Sequence, residues 1–295
     1  MEGDEYPNLV NTPFFSQQAY QCGPASLASL LTYSGVDVTP DDLVPLVYVP
    51  KRQGSFQVEL AATARTYGRV PYIIDPSIKA LAAELIAGRP VLVLQNYGLN
   101  VLPFYHFAVV IGLLPDDRIV LRSGTTKRHI MKTSQFLMSW LRPGAWAMVV
   151  LRPGELPDKV ELNRYLQAVS DFEMINTPQE ALPAYLAAFP LWPKNPMLLF
   201  ALGNNYLKRG DLDEAISYYW QTLEVDKNHL GAINNLADAL AKKGCFKEAK
   251  ELIERGASLA DQQSSIFIDV INSTSREIEI LSENSTTTTH GPNCR

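Results

Sequence analysis

The stretch Gln17-Gln18-Ala19-Tyr20-Gln21-Cys22-Gly23-Pro24-Ala25-Ser26-Leu27-Ala28-Ser29-Leu30-Leu31 sets a cysteine where a polar loop becomes an apolar helix. Proline is tolerated only in the first turn of a helix, where its missing N–H costs no bond, so Pro24 predicts a helix start at Cys22 or Gly23. Leu27, Leu30 and Leu31 recur at the spacing of one helical face, which predicts burial of that face. A thiol at the helix start meets unpaired main-chain N–H groups and the positive end of the helix dipole, and both favour thiolate. The competing reading of Cys22 is a small buried hydrophobe without chemistry.

At 295 residues the chain is long for one core and predicts two domains. Its 46% hydrophobic and 19% charged residues are ordinary for a globular protein. A net charge of −5 leaves no general basic footprint, so nucleic acid is not an expected partner. Cys22, Cys245 and Cys294 form no CxxC spacing, so neither a disulfide framework nor a metal site is expected, and no cofactor is called for. The longest apolar runs, such as 107–114, fall far short of the roughly 20 residues that span a bilayer. The acidic start Met1-Glu2-Gly3-Asp4-Glu5 leads into no apolar signal region. A cytoplasmic setting is therefore the expectation for the sequence as it stands, with export as an effector or a lost upstream signal left open.

Outward from the cysteine, residues 1–16 read as an extended arm ending in Pro13-Phe14-Phe15. The first helix should stop at Gly35, a normal residue after a helix end. Thr39-Pro40 opens a second helix, and 56–67 forms a third before Gly68. The period then changes: 70–74, 91–94, 107–114, 118–122 and 146–151 read as strands, with a helix over 77–87 and a hairpin turn at Pro115-Asp116-Asp117. A helical lobe against a mainly antiparallel sheet is an α+β plan. It brings the helix of Cys22 towards the strand headed by His106, whose loop Leu102-Pro103-Phe104-Tyr105 can set the ring. His129, His229 and His290 are weaker rivals, lying in a basic loop, a repeat turn and a low-complexity tail.

Cys22-Gly23-Pro24 preceded by Gln17, with His106 opening an apolar strand that reaches Gly112, resembles the papain-like cysteine peptidases of the bacteriocin-processing C39 type and their C39-like relatives. The likeness covers about residues 10–152 and takes in Val120-Leu121-Arg122-Ser123-Gly124 and the region of Trp140 and Trp146. It extends to a bacterial subgroup in which tetratricopeptide repeats follow the peptidase domain. The resemblance implies an α+β papain-like fold over 1–155, with Cys22 as nucleophile and His106 as general base. It implies Gln17 as oxyanion donor beside the Cys22 N–H, with Gln18 and Gln21 fitting the spacing less well. Where the family carries Asp or Asn after the histidine, this chain has Ser123, a neutral orienter.

The run 151–157, with two prolines and a glycine, reads as a linker, and 156–283 as an all-α domain. Ala181, Ala215 and Ala249 stand 34 residues apart, the tetratricopeptide period. In that register Tyr165, Leu199 and Ile233 match, as do Ala168, Leu202 and Leu236, and Tyr185, Tyr219 and Ile253. Three repeats follow, about 162–195, 196–229 and 230–263, with a capping helix over 266–281 and a disordered tail over 284–295 in which Cys294 is incidental. First-helix positions Phe200, Asn204, Leu207, Lys208, Asn234, Asp238 and Lys242 would line a partner groove, or form a solvated face with no ligand.

The function expected is cleavage of peptide or isopeptide bonds by a Cys-His thiol mechanism, the repeats recruiting a peptide or protein substrate or a protein partner. Three alternatives stay open. The same thiol could transfer an acyl or peptidyl group, as phytochelatin-synthase-like enzymes do. It could act as a deubiquitinase-like effector. Ser123 motivates the third, a peptide-binding scaffold of weak activity.

Overall fold

The computed structural model describes residues 9–17, 21–262, 266–284 and 294. The expectations for 1–8, Gln18 and most of the tail lie outside these residues. The chain forms two compact units, 1–176 and 177–295.

In the first unit, helices α1 (Cys22–Tyr33), α2 (Pro40–Val47) and α3 (Gln57–Thr66) precede strand β1 (Val70–Ile73), helix α4 (Ile78–Ile86) and strand β2 (Val91–Asn96). Strands β3 (Tyr105–Leu114), β4 (Arg118–Ser123) and β5 (Thr126–Lys132) then form a meander, followed by α5 (Thr133–Leu141), β6 (Ala147–Leu151) and α6 (Leu162–Glu173). The six strands make one antiparallel sheet in the order β1-β6-β2-β3-β4-β5. Leu92, Leu94, Phe107, Val109, Ile111, Val120 and Met148 on one face pack with Leu27, Leu30, Leu31, Leu43 and Leu60 from α1–α3. Full burial of each such side chain contributes about 1.5–3 kcal/mol, so this layer dominates the unit's stability.

Pro24 does sit in the first turn of α1, which begins at Cys22. Burial is wider than one leucine face: every residue from Gly23 to Leu31 is buried. The small Ala25, Ser26, Ala28 and Ser29 let neighbours close on the sides that the leucine pattern leaves open. Thr39 caps α2 in a capping box with Asp42. The three-residue turn after β3 has Asp117 at φ +60°, closing on the Leu114–Arg118 pair. The sequence reading missed β5 and α5, because 126–132 alternates weakly and charged residues dominate it.

The two units meet later in the chain than the Pro/Gly-rich run at 151–157 suggests. Helix α6, which the 34-residue register counts in the first repeat, packs on β1 in the first unit. Tyr165 lies against Tyr72 with ring centroids 6.4 Å apart, and ion pairs Arg164–Asp75 (2.6 Å) and Arg65–Asp171 (2.8 Å) flank it.

The second unit consists of α7 (Pro178–Ala188), α8 (Pro196–Arg209), α9 (Leu212–Val225), α10 (Leu230–Lys242), α11 (Phe246–Gln262) and α12 (Ile268–Asn284), with each of these helices in contact with the next. The register positions Ala181, Ala215 and Ala249 are fully buried, as are Leu199, Ile233 and Tyr219. Gly203 is required by close packing, since a Cβ there would lie 2.5 Å from the Tyr219 ring. The cysteines depart from expectation: Cys245, in the turn between α10 and α11, is disulfide-bonded to Cys294, and Cys22 alone is free. Spacing could not reveal this pair, because its members stand 49 positions apart in the chain.

Two measurements check this arrangement. Thiol titration of the unreduced, denatured protein should find one reactive cysteine, Cys22, with a Cys245–Cys294 linked peptide in a non-reducing map. Gly203→Ala should lower stability by about 1–3 kcal/mol through overpacking against Tyr219, read as a lower urea midpoint.

Candidate active site

The β3–β4 ladder runs from Leu114–Arg118 to Val109–Arg122, and the same register carried on would set Phe107 opposite Gly124, where the chain has left β4 and turns. Gly124, at φ +58°, occupies the tight turn between Ser123 and its partner Thr126. The polar main-chain groups of Phe107 need other partners, and α1 supplies them. Ser26 Oγ donates to the Phe107 carbonyl (3.2 Å), and one helical turn earlier the Cys22 sulfur meets the Phe107 N–H. The N–H groups of Gly23 and of Cys22 itself also face the sulfur. The thiol is thus fixed beside the residue that follows His106.

The N-terminal arm crosses the same region. Val10 N–H donates to Ile111 O (2.8 Å), the Arg122 guanidinium to Thr12 O (2.8 Å), and Gln17 N–H to Gly124 O (3.1 Å). Gln17 is therefore held at the turn that carries Ser123.

His106 pairs with Gln95 across β2 and β3, so their side chains share a sheet face. Its Nε2 is 2.9 Å from Ser123 Oγ, and the Tyr97 ring lies 5.7 Å from the imidazole. Ser123 thus contacts His106, the position that the family resemblance pointed to, while Gln95 and Tyr97 were missed. Their signal was present only as two polar residues at strand spacing ahead of a loop. That loop is held at its neck: Asn96 Oδ1 accepts from the N–H groups of Gly98 and Phe104, both 2.9 Å, and Arg142 donates to Gly98 O (2.9 Å). Beyond the neck Leu99, Val101, Leu102, Phe104 and Tyr105 are exposed.

Electrostatics reverse one expectation. Burial raises the Cys22 pKa, outweighing the three N–H groups that favour thiolate. Burial, and secondarily the charge of His129 on β5, lowers the His106 pKa to about 4. Near neutral pH Cys22 is a thiol and His106 a neutral imidazole, because residues 23–31 of α1 are buried and desolvation exceeds the effect of the helix start.

Residues 9–148 match the Peptidase_C39 like family. Residues 206–266 of the same chain match the tetratricopeptide repeat. The C39-like segment contains Gln17, Cys22, His106 and Ser123. Among curated proteins none matches the chain. Solved structures similar to it include a double glycine motif protease from an AMS/PCAT transporter, in complex with its leader peptide (19% identity, 49% of this chain and 94% of that one, TM-score 0.38). Others are the peptidase domain of Streptococcus ComA (21% identity, 46% and 95%, TM-score 0.39) and the Sgt2 TPR domain from Aspergillus fumigatus (20% identity, 44% and 87%, TM-score 0.37).

The proposed groove positions of the repeats are tied to one another. Asn204 Oδ1 accepts from Tyr219 Oη and from Asn235 Nδ2, both 2.8 Å, and Asn234 Nδ2 donates to Asn235 Oδ1 (3.1 Å). Asn235, absent from the sequence-based set, links α8 to α10. Asp238 and Lys242 form an ion pair at 2.6 Å, and Phe200 packs on His229 at 4.6 Å. Among the described residues no cluster of three His, Cys, Asp or Glu could hold a metal, and no helix is long and apolar enough to cross a membrane.

The folded His106 pKa of about 4 lies below its ordinary 6.5. As pH falls through 6.5 the unfolded chain takes up this proton first, so His106 costs nothing above 6.5 and progressively destabilises the fold down to about 4. Urea titrations should show His106→Gln more acid-resistant than wild type by up to roughly 3 kcal/mol at pH 4, with no such gain at pH 7.5. In the same wild-type protein, iodoacetamide alkylation of Cys22 should rise with an inflection above the ordinary thiol pKa.

Proposed function

We propose that the C39-like segment is a cysteine peptidase that hydrolyses peptide bonds, and that the repeats bind its substrate or a protein partner. The observation that carries this reading is the His106–Ser123 contact at 2.9 Å on a strand whose next residue, Phe107, fixes the Cys22 thiol. Cys22 is the nucleophile and His106 its base. As the sulfur bonds to the substrate carbonyl carbon, the thiol proton passes to the imidazole, so a neutral resting pair is competent. The Cys22 N–H and the Gln17 amide stabilise the oxyanion. His106 then protonates the leaving amine, and water hydrolyses the acyl-thioester. Ser123 orients the ring without adding charge. The exposed apolar side chains of Leu102, Phe104 and Tyr105, next to His106 in the chain, favour a substrate with apolar residues near the scissile bond. In the second unit Phe200, Asn204, Lys208, Asn234, Asp238 and Lys242 are the positions assigned to partner binding.

Peptide-library digestion followed by mass spectrometry tests the proposal. Cys22→Ala should abolish cleavage, and Gln17→Ala should lower kcat by about 10²–10³ with the fold intact. Cleavage undiminished in Cys22→Ala would overturn the assignment.

A further inference from the structure

Behind Ser123 the hydrogen bonds continue inward. Tyr97 Oη bonds Gln95 Oε1 (3.0 Å) and also has the Ser123 hydroxyl as a partner. Gln95 Nε2 bonds Ser139 Oγ (2.8 Å), and Ser139 Oγ bonds the Phe136 carbonyl (2.9 Å). Gln95 and Ser139 are buried, so no solvent competes for these groups.

The direction of every bond follows from its inner end. The Phe136 carbonyl can only accept, so it takes the single hydroxyl proton of Ser139. Ser139 must then accept from Gln95, which fixes the amide with its NH₂ inward and its oxygen towards Tyr97. The amide oxygen can only accept, so Tyr97 donates its own proton to it. Towards Ser123 the phenol oxygen then has only lone pairs, and the serine proton points at Tyr97. What Ser123 presents to the imidazole is a lone pair, so the facing nitrogen must carry hydrogen.

We infer that Ser139, Gln95 and Tyr97 are positioning residues that set Ser123 as an acceptor and hold His106 as the Nε2–H tautomer, leaving Nδ1 as the basic nitrogen. A serine by itself has no such preference, since its hydroxyl can donate or accept. The relay performs the tautomer selection that a carboxylate gives by charge, and does so without placing a charge in the buried layer. Its bearing on catalysis rests on the cysteine peptidase reading, but the tautomer does not.

The test separates the two. Long-range ¹H–¹⁵N correlation spectra of the full-length chain carrying Cys22→Ala, at pH 7, should show His106 as the Nε2–H tautomer. Adding Tyr97→Phe, which keeps the ring beside the imidazole, should shift His106 towards a mixture with Nδ1–H. In the Cys22-containing protein Tyr97→Phe should lower kcat about tenfold with KM little changed. Ser123→Asp, which accepts irrespective of Tyr97, should make the Tyr97→Phe change nearly silent in both readouts. An Nδ1–H tautomer in the parent, or Tyr97→Phe leaving the tautomer unmoved in a well-dispersed spectrum, overturns the relay. Loss of activity with the tautomer as stated would count against the peptidase reading and leave the relay standing.

Discussion

The site depends on the main chain of Phe107. Where β4 turns away, the N–H and carbonyl of this residue lose their ladder partners, and a buried peptide group without partners costs several kcal/mol. Cys22 and Ser26, one turn apart on α1, take those two groups. A single break in strand pairing thus docks the helix on the sheet and sets the thiol beside the histidine strand. The turn that causes the break also bears Ser123, and its carbonyl captures Gln17.

The same enclosure sets the electrostatics. A helix start favours thiolate by a modest amount in partly exposed settings. Here α1 is closed in by small residues, and desolvation prevails both for Cys22 and for His106. In the proposed peptidase a neutral thiol and a neutral imidazole suit Ser123 as an uncharged orienter: without imidazolium in the resting state, no resting charge needs a carboxylate. In that proposed mechanism charge develops only as the proton moves, and the field of the inward hydrogen bonds from Ser123 to Phe136 meets it there.

Much of the first unit was legible in its periodicity. The start of α1 followed from Pro24, the capping of α2 from Thr39-Pro40, and the β3–β4 turn from Asp116-Asp117. What escaped was β5 with α5, a charged edge strand whose alternation is weak and a helix whose signal is one buried face containing Phe136 and Trp140. The 34-residue spacing identified the buried alanines of the repeats correctly. It assigned α6 to them because Tyr165 and Ala168 fit the register, although Tyr165 packs on Tyr72.

The sequence by itself determined the helix start at Cys22, the strand behind His106 and the repeat period. These are local facts, fixed by backbone preferences and by the spacing of apolar residues. Tertiary structure alone decided that burial outweighs the helix start at the Cys22 thiol, that Cys245 joins Cys294, and that Gln95, Tyr97 and Ser139 stand in line behind Ser123. Those outcomes turn on desolvation and on bonds between residues far apart in the chain, and no local pattern encodes either.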